Sequence, residues 1–312
     1  MDPVTDISVI VPVVERFDDV AELYSLYKKG LEDTGKPYEF IYVLDGDFGE
    51  VMETLKRLIA AGEKIKVIKL ARGFGEATAL TIGIQHATGN VILTMPAYQQ
   101  VEANEIPRLV ASLNDCDMVI ARRWPRKDSL LNRIQSRVFH MFLAPVSEFK
   151  FHDIGCGVRV FRKRVADEVK IYGDQHRFLP ILAHKYGFRV HEVDAVQSRS
   201  DTMQRVYSPG TYLQRMLDIF SIFFLVKFTK KPLRFFGILG SSIFMGGFLI
   251  LLYLLVARVF LGSGLADRPI LLLGTLLVVL GVQLFAIGLI AEIIIFTHAK
   301  DIKEYTIDQI IN

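Results

Sequence analysis

Cysteine is scarce in this chain: Cys116 and Cys156 are the only two in 312 residues. That excludes a disulfide scaffold and a thiolate metal cage, and the pair reads as structural thiols in a reducing compartment. Charge of one sign is also in short supply. Lys and Arg exceed Asp and Glu by a net of only +3, with no basic or aromatic stretch of the kind that grips nucleic acid, so no nucleic-acid partner is expected. Internal repeats and low-complexity segments are absent. No basic leader precedes the apolar run 7–14, which is strand-sized, so no signal peptide is expected.

What the chain has in excess is apolar length. Residues 235–261 and 269–296 are two runs each long enough to cross a hydrocarbon layer of roughly 30 Å as a helix, at about 20 residues per crossing. Only residues 262–268 join them, so the runs form a hairpin whose flanks lie on one side. Lys227, Lys230, Lys231 and Arg234 precede the first run, and His298, Lys300 and Lys303 follow the second, while the connector sets Asp267 against Arg268. By the positive-inside tendency both flanks, and with them both termini and the N-terminal domain, face the cytoplasm of a two-span cell-membrane protein. Ahead of the hairpin, apolar residues at 213, 216, 217, 220, 223 and 224 share one helical face, which suits an interfacial helix. The expected organisation is therefore a soluble-type domain over 1–210, an amphipathic segment over 211–234, a transmembrane hairpin over 235–296 and a tail over 297–312. Glu292 near the end of the second run is costly in hydrocarbon unless it is paired or interfacial.

Before residue 125 the pattern alternates. Strand-like runs at 7–14, 39–44, 64–70, 91–95 and 117–121 are separated by helical spacing at 18–31, 51–61, 76–86 and 103–113. That order predicts an α/β domain with a mostly parallel sheet and helices on both faces. Ligands of such sheets sit beyond the carboxyl ends of the strands. The residues that follow them are Pro12, Val13, Val14, Glu15 and Arg16 after the first strand, and Asp45, Gly46 and Asp47 after the second. The third is followed by Arg72-Gly73-Phe74-Gly75-Glu76 running into a helix. Carboxylates there can accept from a base or ribose, and a glycine turn at a helix start lets the backbone approach an anion.

In this order the pieces resemble the family 2 glycosyltransferases of the GT-A fold, and among them the polyprenyl-phosphate sugar transferases such as dolichyl-phosphate mannose synthases and bactoprenol glucosyltransferases. That family reads Val-Pro-x-Tyr-Asn-Glu after its first strand, Val-Asp-Asp-Gly-Ser after its second, Arg-Asn-x-Gly after its third and Asp-Ala-Asp-Leu-Gln after its fourth. This chain has Val11-Pro12-Val13-Val14-Glu15, Val43-Leu44-Asp45-Gly46-Asp47, Arg72-Gly73-Phe74-Gly75 through Ala79 to Gly83, and Gly155-Cys156-Gly157-Val158-Arg159 for the family's Gly-Cys-Gly-Phe-Arg. The resemblance implies a membrane-anchored transferase that moves a sugar from a nucleotide sugar to a polyprenyl phosphate. A second copy of the chain is left open as a further partner.

It also implies roles. Donor binding falls to Pro12, Val14, Glu15, Asp45, Asp47, Ala97, Tyr98 and Gln100. The acceptor phosphate falls to Arg122, Arg123, Arg133 and Ser136, and catalysis to Asp153 and Arg72. Arg133 and Ser136 are one helical turn apart, and guanidinium forks are well shaped for phosphate. A phosphate acceptor is already largely ionised at neutral pH, its second pKa being about 6, and needs no strong general base.

One motif departs. Counting back from Glu105-Ile106-Pro107 places Pro96-Ala97-Tyr98-Gln99-Gln100 on Asp-Ala-Asp-Leu-Gln. The family uses those two carboxylates to hold Mg²⁺ or Mn²⁺ against the donor diphosphate; here only Gln100 matches. Three readings follow. Asp45, Asp47 or Glu102 supplies the metal, or Arg72, Arg122 and Arg123 neutralise the diphosphate without one, or the chain is a non-catalytic binding or scaffold protein partnered with an active transferase or flippase. The family's donor-closing loop is echoed only by Arg199, Arg205 and Tyr207.

Overall fold

The computed structural model describes residues 6–125, 151–169, 173–202, 232–261 and 269–298. The chain divides into two compact units, a sheet domain in the first 222 residues and a helical pair within Phe223–Lys303.

In the sheet domain the described strands are β1 (Ile7–Val13), β2 (Tyr38–Leu44), β3 (Ile65–Lys69), β4 (Val91–Thr94), β5 (Met118–Arg123), β6 (Arg159–Arg162) and β7 (Val190–Ala195). They form one sheet in the order β3-β2-β1-β4-β6-β5-β7. All neighbours run parallel except β6, which is antiparallel to both β4 and β5. β1 lies between β2 and β4 and is buried at every position, which explains why its run Ile-Ser-Val-Ile-Val-Pro-Val is apolar at every residue but Ser8, whose hydroxyl donates to Glu39. Its Pro12 pairs in register with Val43, at the carboxyl ends of both strands.

The helices are α1 (Val20–Glu32), α2 (Gly49–Ala60), α3 (Glu76–Gln85), α4 (Ile106–Ala111), α5 (Lys163–Glu168) and α6 (Leu179–Lys185). α1 starts where Asp19 accepts hydrogen bonds from the amides of Ala21 and Glu22, both at 2.9 Å. Its apolar face, Val20, Leu23, Tyr24, Tyr27 and Leu31, joins Val9, Val11, Phe40 and Tyr42 in the main core. Each such side chain contributes roughly 1.5–3 kcal/mol on burial. α3 covers the opposite face: a Cβ on Gly83 would lie 2.5 Å from Ile10 Cγ2 and 3.3 Å from Val43 Cγ2. Helices on both faces thus agree with the sequence pattern. Residues 103–113, read as one helix, are a 3₁₀ turn at Ala103–Glu105, α4, and a second 3₁₀ turn at Ser112–Asp115.

In the second unit, α7 (Pro232–Leu261) and α8 (Pro269–His298) are each long and apolar enough to cross a membrane. Their contact is a glycine seam: a Cβ on Gly240 would meet the Gly281 carbonyl oxygen at 2.7 Å, and one on Gly247 the Gly274 carbonyl oxygen at 2.8 Å. Backbones come this close only where side chains are missing, the usual packing of helices in lipid. Outward residues such as Phe260, Val259 and Leu272 are exposed, as lipid-facing side chains would be. Glu292 is paired within the hairpin: its carboxylate accepts from the backbone amide of Leu233 in the first turn of α7, at 3.3 Å. A helix start offers unpaired N–H groups and positive potential, which offsets the cost of the charge. Residues 211–231, where the interfacial helix is expected, and the connector 262–268 lie outside the described residues.

Candidate functional site

The strand order reverses direction between β1 and β4, and the loops that follow these two strands face each other there. They are cross-braced. The Asp18 amide donates to the Ala97 carbonyl at 2.8 Å, and the Asp18 carboxylate accepts from the Gln99 amide at 3.0 Å. From beneath, the fully buried Tyr27 of α1 donates its hydroxyl to the Pro96 carbonyl (3.0 Å) and the Tyr98 carbonyl (3.3 Å). Segment 96–100 is therefore fixed in place, with Pro96 and Ala97 buried and Tyr98 half-buried.

Gln100 is buried, and both ends of its amide are used. Its oxygen accepts from the Gly157 amide at 2.7 Å and its nitrogen donates to the Tyr98 hydroxyl at 2.6 Å. Pro96 packs on Gly157, where a Cβ would lie 2.7 Å from its ring. Gly157 thus serves a close approach, and the Gly155-Cys156-Gly157 segment is the wall on which the altered motif rests. Burial pushes the Cys156 thiol up to about 11, so it is an inert filler there.

On the other side of β1, Asp45 directly follows β2 and is buried, and its carboxylate accepts from the amides of Phe74 (2.7 Å) and Gly75 (2.8 Å). Gly75 has φ of 95°, a left-handed conformation that a residue with a Cβ resists, and it caps α3. Asp45 thereby sets the Arg72–Gly75 turn beneath the mouth of the site. Arg72 is exposed, its guanidinium 5.1 Å from the Phe74 ring centre. Asp47 is exposed and pairs with Lys69 at 2.7 Å, and that hydrogen bond holds its carboxyl below the usual range. Pro12 is buried in β1, Val14 is half-buried, and Glu15 is exposed.

A second cluster lies past β5. Arg123 is buried and spends its guanidinium on two carboxylates. Nε and Nη2 donate to Asp153 at 2.6 and 2.7 Å, and Nη1 donates to Asp201 at 3.1 Å. Burial opposes the charge, but Asp153 first and then Asp201 outweigh it, so Arg123 stays protonated well above its usual range. Asp201 also accepts from Gln197 at 2.7 Å. The structure thus places Asp153 and Arg123 together, as an enclosed strut tying β5 to the loops at 153 and 201. Arg122 points elsewhere: its Nε is 3.5 Å from Asp194, and its guanidinium lies 4.8 Å from the Trp124 ring centre. Arg133 and Ser136 lie outside the described residues, as do Arg205 and Tyr207.

Three more groups complete the site: Asp18 and Tyr27, which the sequence did not single out, and Arg16, one of the residues that follow the first strand. Asp18 and Tyr27 lock segment 96–100, and Arg16 lies over Tyr98, its guanidinium carbon 3.9 Å from the ring centre. Arg16 reaches 4.0 Å from Asp201 as well, joining the two clusters. Asp18 could have been found as the acid just before the α1 cap. Asp201 carries no local signal, because its partners are far away in sequence.

The donor set does not fit a divalent cation. At the positions of the family's two carboxylates stand a buried proline and a tyrosine beneath a guanidinium, and the Gln100 amide is already taken. Both Asp45 oxygens accept backbone amides, and among the described residues no three His, Cys, Asp or Glu side chains gather as a cage.

The sequence profile of Glycosyl transferase family 2 matches residues 8–170. The chain belongs to that family. Among curated relatives of this glycosyltransferase, the dodecaprenyl-phosphate galacturonate synthase of Rhizobium johnstonii is 28% identical over 308 residues, covering 96% of this chain and 91% of that one. The undecaprenyl-phosphate 4-deoxy-4-formamido-L-arabinose transferase of Pectobacterium carotovorum is 28% identical over 317 residues, covering 100% and 95%. Among solved structures, glucosyl-3-phosphoglycerate synthase from Mycobacterium tuberculosis, in complex with Mn²⁺, UDP and phosphoglyceric acid, aligns with a TM-score of 0.52 at 14% identity, covering 71% of this chain and 78% of that one. The same enzyme with Mg²⁺ and UDP aligns at 0.51, again 14% identical and over 71% and 78%. These likenesses show the GT-A fold. A divalent metal is usual in this fold family, which sets the altered motif of this member apart.

Proposed function

We propose that this glycosyltransferase transfers a sugar from a nucleotide sugar to a polyprenyl phosphate at the cytoplasmic face of the cell membrane, with the hairpin as its anchor. The observation that carries the reading is the pair of polyprenyl-phosphate transferases that align with the chain along nearly its whole length, hairpin included. The crevice between the β1 and β4 loops, with Asp45 and the glycine turn beside it, takes the donor. Arg122, Arg133 and Ser136 take the lipid phosphate, while Asp153 acts through Arg123 to hold the loops around it. Arg72, on the rim of the glycine turn, contributes positive charge toward the diphosphate.

A second reading is favoured by one observation, the replacement of both metal-holding acids by Pro96 and Tyr98: a catalytically inactive member that binds for a partner transferase or flippase. One experiment separates them. Purified protein in vesicles containing a short polyprenyl phosphate is given radiolabelled UDP- and GDP-sugars, and label in the lipid fraction is counted. Label above the no-protein control supports the transferase, whereas nucleotide binding without labelled lipid supports the binding protein.

A further inference from the structure

A donor diphosphate entering the β1–β4 crevice brings negative charge that has to be neutralised, and the residues that hold a metal in the family are gone. The loss is not isolated. The family pattern Val-Pro-x-Tyr-Asn-Glu, laid on Val11-Pro12, puts Arg16 where an acid stands, so one acidic position has reversed sign while two others, at 96 and 98, have become neutral. The structure brings the first and last of these into contact. The Arg16 guanidinium is stacked on the Tyr98 ring at 3.9 Å, held from below by the ring's negative face.

The remaining contacts of Arg16 leave donor capacity over. Nη1 is 4.0 Å from Asp201, and Nη2 donates to the Ser200 carbonyl at a long 3.4 Å. Nε is buried and has no acceptor among the described residues. Asp201 is itself engaged by Arg123 and Gln197, so it steadies Arg16 without saturating it. Tyr98 is fixed in turn by the Gln100 amide at its hydroxyl and by Tyr27 at its carbonyl. A planar cation on a fixed platform, with an orphaned donor and a partly exposed edge, has the shape and charge to receive phosphate oxygens.

We infer that Arg16, seated on Tyr98, replaces the divalent cation of the family and binds the donor diphosphate directly. The charge count supports this: three carboxylates with one divalent ion sum to −1, whereas two neutral side chains with one guanidinium sum to +1, so the site faces an anion with net positive charge without a metal. The inference rests on the nucleotide-sugar reading above and adds to it the group that holds the diphosphate.

The test is calorimetry on the full chain in lipid nanodiscs, with UDP, GDP and CDP as probes and the corresponding monophosphates and nucleosides as controls. Wild type should bind a nucleoside diphosphate with the same affinity, within about threefold, in excess Mg²⁺ or Mn²⁺ and in chelator. Arg16→Gln should lower that affinity about tenfold or more, the worth of a charged hydrogen bond, and leave nucleoside binding within about threefold. Should Arg16→Gln fail to fold by thermal melt, Arg16→Lys, which keeps the charge but loses the stacked fork, makes the same comparison and should show the same selective loss. Unchanged diphosphate affinity in the folded variant, or a tenfold loss for wild type in chelator, overturns the role of Arg16 and leaves the transferase reading standing. Failure of wild type to bind any of the diphosphates overturns both.

Discussion

Replacing Arg123 by methionine should destabilise the sheet domain more than any exposed substitution. The side chain is almost fully enclosed and makes three charged hydrogen bonds, two to Asp153 at 2.6 and 2.7 Å and one to Asp201 at 3.1 Å. Methionine fills much of the volume, so the main loss is electrostatic: two buried carboxylates lose the guanidinium that bridges them. Breaking a buried pair from one side costs about 3–5 kcal/mol. In a domain of this size that corresponds to a fall in Tm of about 6–20 °C, at about 2–4 °C per kcal/mol. The deficit should also depend on pH. A buried carboxylate that loses its main cation is harder to keep ionised, so the variant's folded state binds extra protons and gains stability as pH falls, narrowing the gap to wild type. Thermal unfolding in detergent across the acidic range reads both effects. Adding Asp153→Asn to Arg123→Met should recover at least about 1.5 kcal/mol relative to the sum of the single changes, because the partners are coupled. A Tm within 2 °C of wild type (about 1 kcal/mol or less), or a gap that widens in acid, would refute the strut.

Three further outcomes follow from other parts of the molecule. Gly281→Leu places a side chain where a Cβ already meets the Phe244 amide nitrogen at 2.5 Å and the Gly240 oxygen at 2.7 Å, so it should part the hairpin and cost about 1–3 kcal/mol, read as a lower Tm in detergent. Burial pushes the Asp117 carboxyl up, but hydrogen bonds from the Arg189 amide and Arg164 outweigh it and hold it below its ordinary value. Its contribution is full above the ordinary value of about 3.9 and is lost as pH falls through the lower folded value, so Asp117→Asn should be destabilised near neutrality and differ less from wild type in strong acid. Arg133→Ala should weaken binding of a short polyprenyl phosphate by about 1.5–3 kcal/mol with nucleotide binding unchanged, and unaltered lipid affinity would remove Arg133 from the acceptor site.

Most strands and helices up to residue 123 were legible because local period and tertiary burial agree there: β1 is apolar at every position but Ser8, as suits a central parallel strand, and α1 carries its apolar residues at helical spacing behind an Asp19 cap. β6 was not legible. Four residues, Arg159–Arg162, hold two arginines, and their antiparallel placement between β4 and β5 is decided by partners far along the chain. Asp45 and the glycine turn were visible as a pair of strand-end signals, and the structure joins them through two amide hydrogen bonds. The loss of the two acids at 96 and 98 could be read from the sequence, whereas what occupies the space could not. The stacking of Arg16 on Tyr98 spans two loops far apart in sequence and follows from the bracing by Asp18 and Tyr27. The Arg123 strut was hidden for the same reason, since an arginine pair after a strand reads equally as a phosphate grip.

Transfer to a lipid phosphate shows itself in the acceptor requirement of the reaction. Full-length protein in vesicles, supplied with the radiolabelled nucleotide sugar that it binds, should label a polyprenyl phosphate and leave the matching unphosphorylated polyprenol unlabelled, in chelator as in Mg²⁺. Equal labelling of the two lipids would contradict a phosphate acceptor, and labelling of neither, with nucleotide bound, would contradict catalysis itself.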